Sequence, residues 1–167
     1  MPQRPFYLML KPPIDTARAI VCQRRLLGID SPYEAERLHM TILPLGDAFS
    51  FDGLDRAFSI DATPFELCLD MLDGTALIGS KPSPLLRTLQ RAVVQCVIAS
   101  GLAPPPYGFR RPHVTLVYGD APPQPKRAIE PIRWWVDEVL LIRSCKGHHD
   151  LLGQWPLVAR QHAFAFG

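Results

Sequence analysis

The sequence predicts an α+β fold in which a single domain, residues 1–167, contains two related halves built on antiparallel strands. Helical segments alternate with strands while hairpin signals such as Asp73-Gly74 recur, which favours antiparallel sheets over a doubly wound parallel sheet. The sequence also repeats itself, because "RLHMTILPLGDA" starts at Arg37 and "RPHVTLVYGDA" starts at Arg111. Each half would then donate one His-x-Thr strand.

Composition sets the broad class of protein. The chain has 167 residues, of which 47% are apolar and 20% charged, and this suits one globular domain. Its net charge of +2 is too small to indicate a nucleic-acid binder, so any preference for anions must come from locally placed arginines. The first apolar run is too short for a signal peptide, and no run approaches the ~20 residues of a membrane span. We therefore expect a cytoplasmic protein that binds no membrane.

None of the cysteines has a C-x-x-C partner, and all of them lie in apolar or helical segments. In a cytosolic chain this pattern predicts buried free thiols rather than disulfides or metal ligands. The cysteines are Cys22, Cys68, Cys96 and Cys145.

The first elements are a strand and a helix. "FYLMLK", which starts at Phe6, predicts a strand that ends at Pro12. Asp15 and Thr16 are the expected N-cap of a helix over "TARAIVCQRRLLG", and Gly28 is its expected end. The predicted apolar face of this helix consists of Ala19, Val21, Cys22, Leu26 and Leu27.

The middle of the chain predicts a short helix over residues 49–60, a hairpin and a long helix. "PFELCLDML" alternates as a strand does and leads through Asp73-Gly74 to a return strand, "ALIGS". "SPLLRTLQRAVVQCVIASG" is the clearest helix, capped by Ser83 and ended by Gly101. The strand face is Phe65, Leu67, Leu69 and Met71, and the helix stripe is Leu85, Leu86, Leu89, Val93, Cys96 and Val97.

The last third predicts two antiparallel strands, "RWWVDEVLLIRSC" and "HDLLGQWPLV". The proline-rich stretches "APPPYG" and "APPQPKR" predict rigid surface connections. The expected element order is β-α-β-α-β-β-α-β-β-β.

The repeated segments predict a polar face on each strand. Side chains alternate along a strand, so the arginine, histidine and threonine of each copy share one face while apolar residues occupy the other. A single His-x-Thr is a weak signal that usually marks an ordinary strand, whereas two copies with the same face pattern indicate a function. The first polar face holds Arg37, His39, Thr41 and Leu43, and the second holds Arg111, His113, Thr115 and Val117.

Two such faces suit the cleavage of a phosphodiester. Imidazole titrates near neutral pH, so one histidine can act as a base while the other acts as an acid. Threonine hydroxyls and arginine guanidinium groups bind phosphoryl oxygens, which makes Arg37 and Arg111 candidate substrate-binding residues. This chemistry needs no metal or other cofactor.

"HMTI" at His39 and "HVTL" at His113 resemble the paired His-x-Thr-x signature of the two-histidine (2H) phosphoesterase superfamily. The chain is most similar to its RNA 2′,3′-cyclic phosphodiesterase branch, also called the 2′-5′ RNA ligases. The resemblance implies a bilobal fold, with two pseudo-twofold-related antiparallel sheets that form a cleft and helices outside. It implies that His39, Thr41, His113 and Thr115 are catalytic and that no cofactor is used. The implied substrates are RNA ends or nucleotide cyclic phosphates, which a monomer would hydrolyse to 2′-phosphomonoesters.

Two rival functions stay open at this point. One is a non-catalytic module that binds RNA ends or nucleotide phosphates in the same cleft. The other is a metal site, although its candidate ligands lack close ligand spacing. Those ligands are His39, His113, His149 and Cys145.

The remaining candidates have weaker patterns. His148 and His149 are adjacent on a strand, so at most one can reach the cleft, and we expect structural roles for both. Lys11 and Lys81 are possible cleft cations. Aromatic side chains could stack on a base, although Tyr118 shares the core-facing parity of its strand. The other two aromatic candidates are Trp134 and Trp135, and His162 in the tail has no expected function.

Overall fold

The computed structural model describes residues 5–47, 59–102, 111–145 and 148–159. Most of the predicted helix over residues 49–60, the stretch "APPPYG" and His162 lie outside these residues. The described strands are β1 (Phe6–Leu10), β2 (Met40–Gly46), β3 (Phe65–Gly74), β4 (Ala76–Ile78), β5 (Val114–Thr115), β6 (Gln124–Val136), β7 (Glu138–Cys145) and β8 (His148–Pro156). The described helices are α1 (Ile14–Leu26), α2 (Pro84–Ala99) and a 3-10 turn (Ala35–Arg37).

The strands form one antiparallel sheet in the order β6-β3-β4-β5-β2-β1-β7-β8. It divides into a half containing β3 to β6 and a half containing β1, β2, β7 and β8. The two halves meet where Met40 of β2 pairs with Val114 of β5. The α+β fold is therefore confirmed, and the two predicted sheets are the two halves of this one sheet.

The two halves repeat the same unit. In one, β1 leads through α1 to β2, and β1 and β2 pair antiparallel. In the other, β4 leads through α2 to β5, and these strands also pair antiparallel. The registers match, since Leu10 pairs with Met40 and Leu77 pairs with Val114. A local twofold axis therefore relates the two motif strands.

Both helices pack on one face of the sheet. They join a core cluster with alternate residues of the central strands, among them Leu10, Met40, Leu77 and Val114. The helix α2 begins as predicted, because the Ser83 hydroxyl accepts a hydrogen bond from the Leu86 amide at 3.2 Å. Its buried stripe is Leu86, Leu89, Gln90, Val93 and Val97, so Leu85, which is 51% exposed, was wrongly placed in it.

The predicted start and apolar face of α1 were wrong. Pro13 occupies the N-cap position with no side-chain cap, and Asp15 lies inside the first turn, where its charge suits the helix dipole. The buried positions are Ala17, Ile20, Arg24 and Leu27, which follow the 3-4-3 spacing of a helix stripe. The predicted face included exposed residues instead, namely Ala19, Cys22 and Leu26.

Two strand predictions also needed correction. "RWWVDEVLLIRSC" breaks at Asp137, because β6 pairs with β3 in one half and β7 pairs with β1 in the other. The first residues of β6, Gln124 to Arg127, come from the stretch that predicted a loop. In β3 the register shifts between Leu69 and Met71, and such a bulge reverses the alternation. Leu72 is therefore buried in place of Met71.

The four cysteines are thiols that form no disulfide with one another, as predicted, but none of them is buried. Cys22 is exposed because it lies on the solvent side of α1, and the other three are half-buried.

Candidate functional site

The strand pairing gathers the four motif side chains on one face of the sheet. Met40 and Val114 are paired and both point into the core. Because side chains alternate, their flanking residues point to the opposite face. We call this the motif face, and it carries His39, Thr41, His113 and Thr115. The same register places each histidine opposite the threonine of the other copy.

Both histidine rings are fixed by the same local contact. Nδ1 of His39 lies 2.8 Å from the Arg37 carbonyl oxygen, and Nδ1 of His113 lies 3.0 Å from the Arg111 carbonyl oxygen. A carbonyl oxygen can only accept a hydrogen bond, so each Nδ1 must carry the proton. The Nε2 atom of each ring is then the one left to exchange a proton with a ligand.

The surroundings of His39 disfavour its charged form. Burial is the main cause that lowers the pKa of His39, and the nearby basic side chains of Lys11, His113 and Arg37 lower it further. The hydrogen bond to the Arg37 carbonyl acts in the opposite direction. Burial likewise lowers the pKa of Lys11. Lys11 and Arg37 are nevertheless cations close to His39, and they would favour a bound anion there.

His149 lies against His39, with the two ring centroids 5.0 Å apart in an edge-to-face arrangement. Its Nδ1 is buried and has no hydrogen-bond partner among the residues that the structure describes. Burial, together with the charges of His39 and Lys11, lowers the pKa of His149 to about 4. His148 is exposed, so only one of the two adjacent histidines reaches the site, as expected. The contact with His39 was not predicted.

The two candidate arginines lie in different settings, and neither belongs to a strand. Arg37 ends the 3-10 turn, and its guanidinium lies 4.1 Å above the Tyr33 ring, with Nε buried and unpaired. Arg111 is exposed and donates from Nη2 to the Gly79 carbonyl oxygen at 2.7 Å. The predicted polar faces are therefore shorter than expected, since the strands begin at Met40 and Val114.

Beyond Thr115 the alternation stops with β5, and two predictions fail for that reason. Tyr118 is 50% exposed rather than in the core, and its ring centroid lies 4.8 Å from that of Tyr33. Burial is the main cause that raises the pKa of Tyr118, and a hydrogen bond with Thr115 opposes this shift. Val117, predicted to share the polar face, is buried.

The remaining candidate site residues differ in their exposure to solvent. Trp134 is buried in the core, whereas Trp135 is exposed. Lys81 is exposed. The pKa of the Asp70 carboxyl is lowered mainly by a hydrogen bond from the Ser80 side chain, and the nearby charge of Lys81 lowers it slightly further.

Sequence reasoning missed Arg24, whose side chain is only 5% exposed. It crosses from α1 and donates from Nη1 to the Leu116 carbonyl oxygen at 3.3 Å, just beyond the second motif. The 3-4-3 spacing that ends at Leu27 was the signal that could have found it.

Within the described part of the chain, no three His, Cys, Asp or Glu side chains are grouped as metal ligands would be. The rival metal site therefore gains no support from these residues. Among the same residues, no helix is both long enough and apolar enough to span a membrane.

Several solved structures share this fold. An E. coli LigT structure with 3′-AMP superposes with a TM-score of 0.66 at 22% identity, covering 94% of this chain and 99% of that one. The protein TT0787 of Thermus thermophilus gives a TM-score of 0.68 at 19% identity, with 93% and 98% covered. A protein described as a phosphoesterase gives 0.67 at 22% identity, with 94% and 99% covered.

No curated protein matches the sequence significantly. A family model, however, matches most of its length and includes both motifs. That model describes the 2′-5′ RNA ligase superfamily and matches residues 9–148. The chain therefore belongs to the 2′-5′ RNA ligase superfamily.

Proposed function

We propose that this protein is a metal-independent phosphodiesterase. Its substrates are 2′,3′-cyclic phosphates of RNA ends or nucleotides, which it opens to 2′-phosphomonoesters without a cofactor. His39 and His113 exchange protons with the substrate, and Thr41 and Thr115 hydrogen-bond its phosphoryl oxygens. Arg37 and Arg111 bind the substrate as cations. The protein acts as a cytoplasmic monomer.

One observation carries this proposal more than any other. The paired register of Met40 and Val114 sets two identical His-x-Thr groups about a local twofold axis, and both Nδ1 atoms are anchored on backbone carbonyls. A cyclic phosphate bound on that axis would meet one Nε2 on its attacking side and the other on its leaving side.

The reaction then needs one proton at each histidine. His113 takes a proton from water as the water oxygen bonds to phosphorus. The bond from phosphorus to the 3′ oxygen breaks, and His39 gives its proton to that oxygen. The product keeps its phosphate on the 2′ oxygen, and a proton returns from His113 to His39 through solvent. The assignment of His39 as the acid rests on the family resemblance.

The environment of His39 constrains this assignment. Burial lowers the pKa of His39 and so disfavours its protonated form in the free protein, whereas a bound anion would raise that pKa and favour the form that can act as the acid. The substrate phosphate supplies the anion. Cyclic-phosphate binding and proton loading of His39 are therefore coupled. The LigT structure with 3′-AMP supports a nucleotide phosphate as the ligand of such a fold.

The test is a product assay with 2′,3′-cyclic nucleotides and cyclic-phosphate-ended RNA side by side. We expect 2′-phosphomonoesters to form from both, at a rate that a strong chelator leaves unchanged. Inhibition by the chelator would contradict the metal-independent mechanism. Tight binding with no product would indicate the non-catalytic binding module instead.

A further inference from the structure

A cavity of about 710 Å³ lies beside the second motif and is lined by the start of α2. That volume is within the usual range of ligand pockets and exceeds what a single phosphate needs. Arg111 and Pro112 form one wall, directly before His113. The other lining residues are Ser80, Pro82, Ser83, Leu86, Arg87, Gln90 and Arg91.

The described residues that line this cavity carry only positive charge. Three of them are arginines and none is an acid. Arg87 and Arg91 are one helical turn apart, so their like charges repel. Neither has an ion pair or a side-chain hydrogen bond within the described residues. An anion bound between them would remove this repulsion.

The cavity also contains a buried amide. Gln90 is only 6% exposed, yet it lines the cavity, and no hydrogen-bond partner of its side chain is found among the described residues. As a lining residue, Gln90 can hydrogen-bond a ligand or a water in the cavity. Gln90 therefore offers a neutral donor and acceptor between two cations.

Acidic side chains on the adjoining surface already have hydrogen-bond or ion-pair partners. A second cavity of about 610 Å³ shares Ser80 and Arg111 with the first and is also lined by two carboxylates. Asp70 accepts hydrogen bonds from the Ser80 amide and hydroxyl at 2.6 and 2.7 Å. Glu66 forms an ion pair with Arg133. These acids are already engaged, so the arginine side of the surface stays available to an anionic chain.

We infer that the cavity between Arg111 and α2 binds the RNA strand that leads to the reacting end, with Arg87 and Arg91 on its phosphates and Gln90 on a base or sugar. This inference rests on the proposed function and narrows its substrate class. The preferred substrate is an oligoribonucleotide with a cyclic phosphate end, rather than a cyclic mononucleotide.

The experiment compares kcat/KM for a short cyclic-phosphate-ended RNA and a cyclic mononucleotide. The double variant Arg87→Ala/Arg91→Ala should lose about 10–100-fold on the RNA, the effect of lost charged hydrogen bonds. On the mononucleotide it should stay within about twofold of the wild type. Both positions are exposed on a helix and alanine favours helices, so the variant should fold. Arg25→Ala, an exposed arginine of α1, is the matched control.

Salt gives a second measurement. Loss of two phosphate contacts should reduce the slope of log RNA affinity against log salt concentration by about 1.4.

Equal losses of kcat/KM on both substrates, or no loss on the RNA, would overturn the inference. If the wild type turns over neither substrate, the proposed function fails, and binding of a 3′-phosphorylated RNA tests the cavity by itself. Weaker binding by the double variant would then support the cavity, and unchanged binding would reject it.

Discussion

The two copies of the motif have nearly the same sequence but different surroundings. His39 is largely enclosed, with His149 5.0 Å from its ring and with Lys11 and Arg37 close enough to lower its pKa. His113 is more open, and the arginine of its own motif, Arg111, donates to the Gly79 carbonyl oxygen. The backbone is symmetric about the motif strands, whereas the electrostatic environment is not.

This difference distinguishes the features that strand pairing determines from those contributed by elements distant in sequence. The register of β2 and β5 and the two Nδ1 contacts come from the motifs themselves, so they appear twice. His149 reaches the first motif from β8, where the register against β7 shifts between Leu141 and Ile142. Such a shift bends and twists a strand pair. The symmetric residues are therefore those to which the proposed mechanism gives the chemistry, and the asymmetric ones give the two histidines different electrostatic environments.

The largest effect should come from removing either histidine. His39→Ala and His113→Ala should each lower turnover of a cyclic-phosphate substrate by roughly 10²–10⁴-fold, the usual loss for one general acid or base. The double variant should lose less than the product of the two, because the residues act as a unit. The measurement is kcat with folding checked by circular dichroism. His148→Ala, an exposed neighbour, is the control, and near-normal turnover by either motif variant would contradict the two-histidine mechanism.

Threonine variants should have smaller effects. In the proposed mechanism, Thr41→Ala and Thr115→Ala each remove one hydrogen bond to a charged phosphate, which corresponds to a loss of roughly tenfold in kcat/KM. Thr115 also hydrogen-bonds Tyr118, so Thr115→Ala should additionally raise the pKa of that phenol. Ultraviolet titration of Tyr118, with Tyr118→Phe as the blank, would measure this. A threonine variant as impaired as a histidine variant would show that the hydroxyls do more than hold phosphate.

The smallest predicted effect is a loss of folding stability at low pH. It tests the different surroundings of His39 and His113 without any substrate. The His149 ring accepts a proton near pH 6.5 when unfolded but only at about pH 4 when folded. Between these values the unfolded chain binds more protons, so stability falls as the pH is lowered. After allowance for solvent screening, the loss from pH 7 to pH 4.5 should be about 1–2 kcal/mol.

His149→Phe should keep that stability, because phenylalanine has no proton to bind. Urea unfolding of both proteins at pH 7 and pH 4.5 makes the comparison. His148→Phe, whose position is exposed, controls for the added ring. If wild type and His149→Phe lose equal stability on acidification, His149 is not the group that resists protonation in the folded protein.

Much of the fold could be predicted because it depends on local signals. Ser83 caps α2, Asp73-Gly74 turns β3 into β4, and the two motif strands alternate as their sequences indicate. The errors arose where tertiary pairing overrode local pattern. Asp137 divides one apparent strand because its two parts pair with opposite halves of the sheet.

The symmetric part of the site was predictable for the same reason, since His39, Thr41, His113 and Thr115 belong to a repeated local pattern. Its asymmetric part was not. His149 lies 110 residues beyond His39 in sequence (149 − 39), and no short-range spacing connects them. Arg87 and Arg91 lie outside the predicted apolar stripe of α2, and only the packing of α2 beside Arg111 shows that they line a cavity.

The sheet topology restricts the order in which the strands can pair while the chain is being synthesised. The half made of β3 to β6 is continuous in sequence, so all its strands are present once residue 136 has been made. The other half is split, since Leu8 of β1 must wait for Leu141 of β7, 133 residues later (141 − 8). Until then, one edge of β1 has no neighbour and its apolar side chains have an incomplete core. Although β1 precedes the other described strands in the chain, it is thus among the last of them to be fully paired.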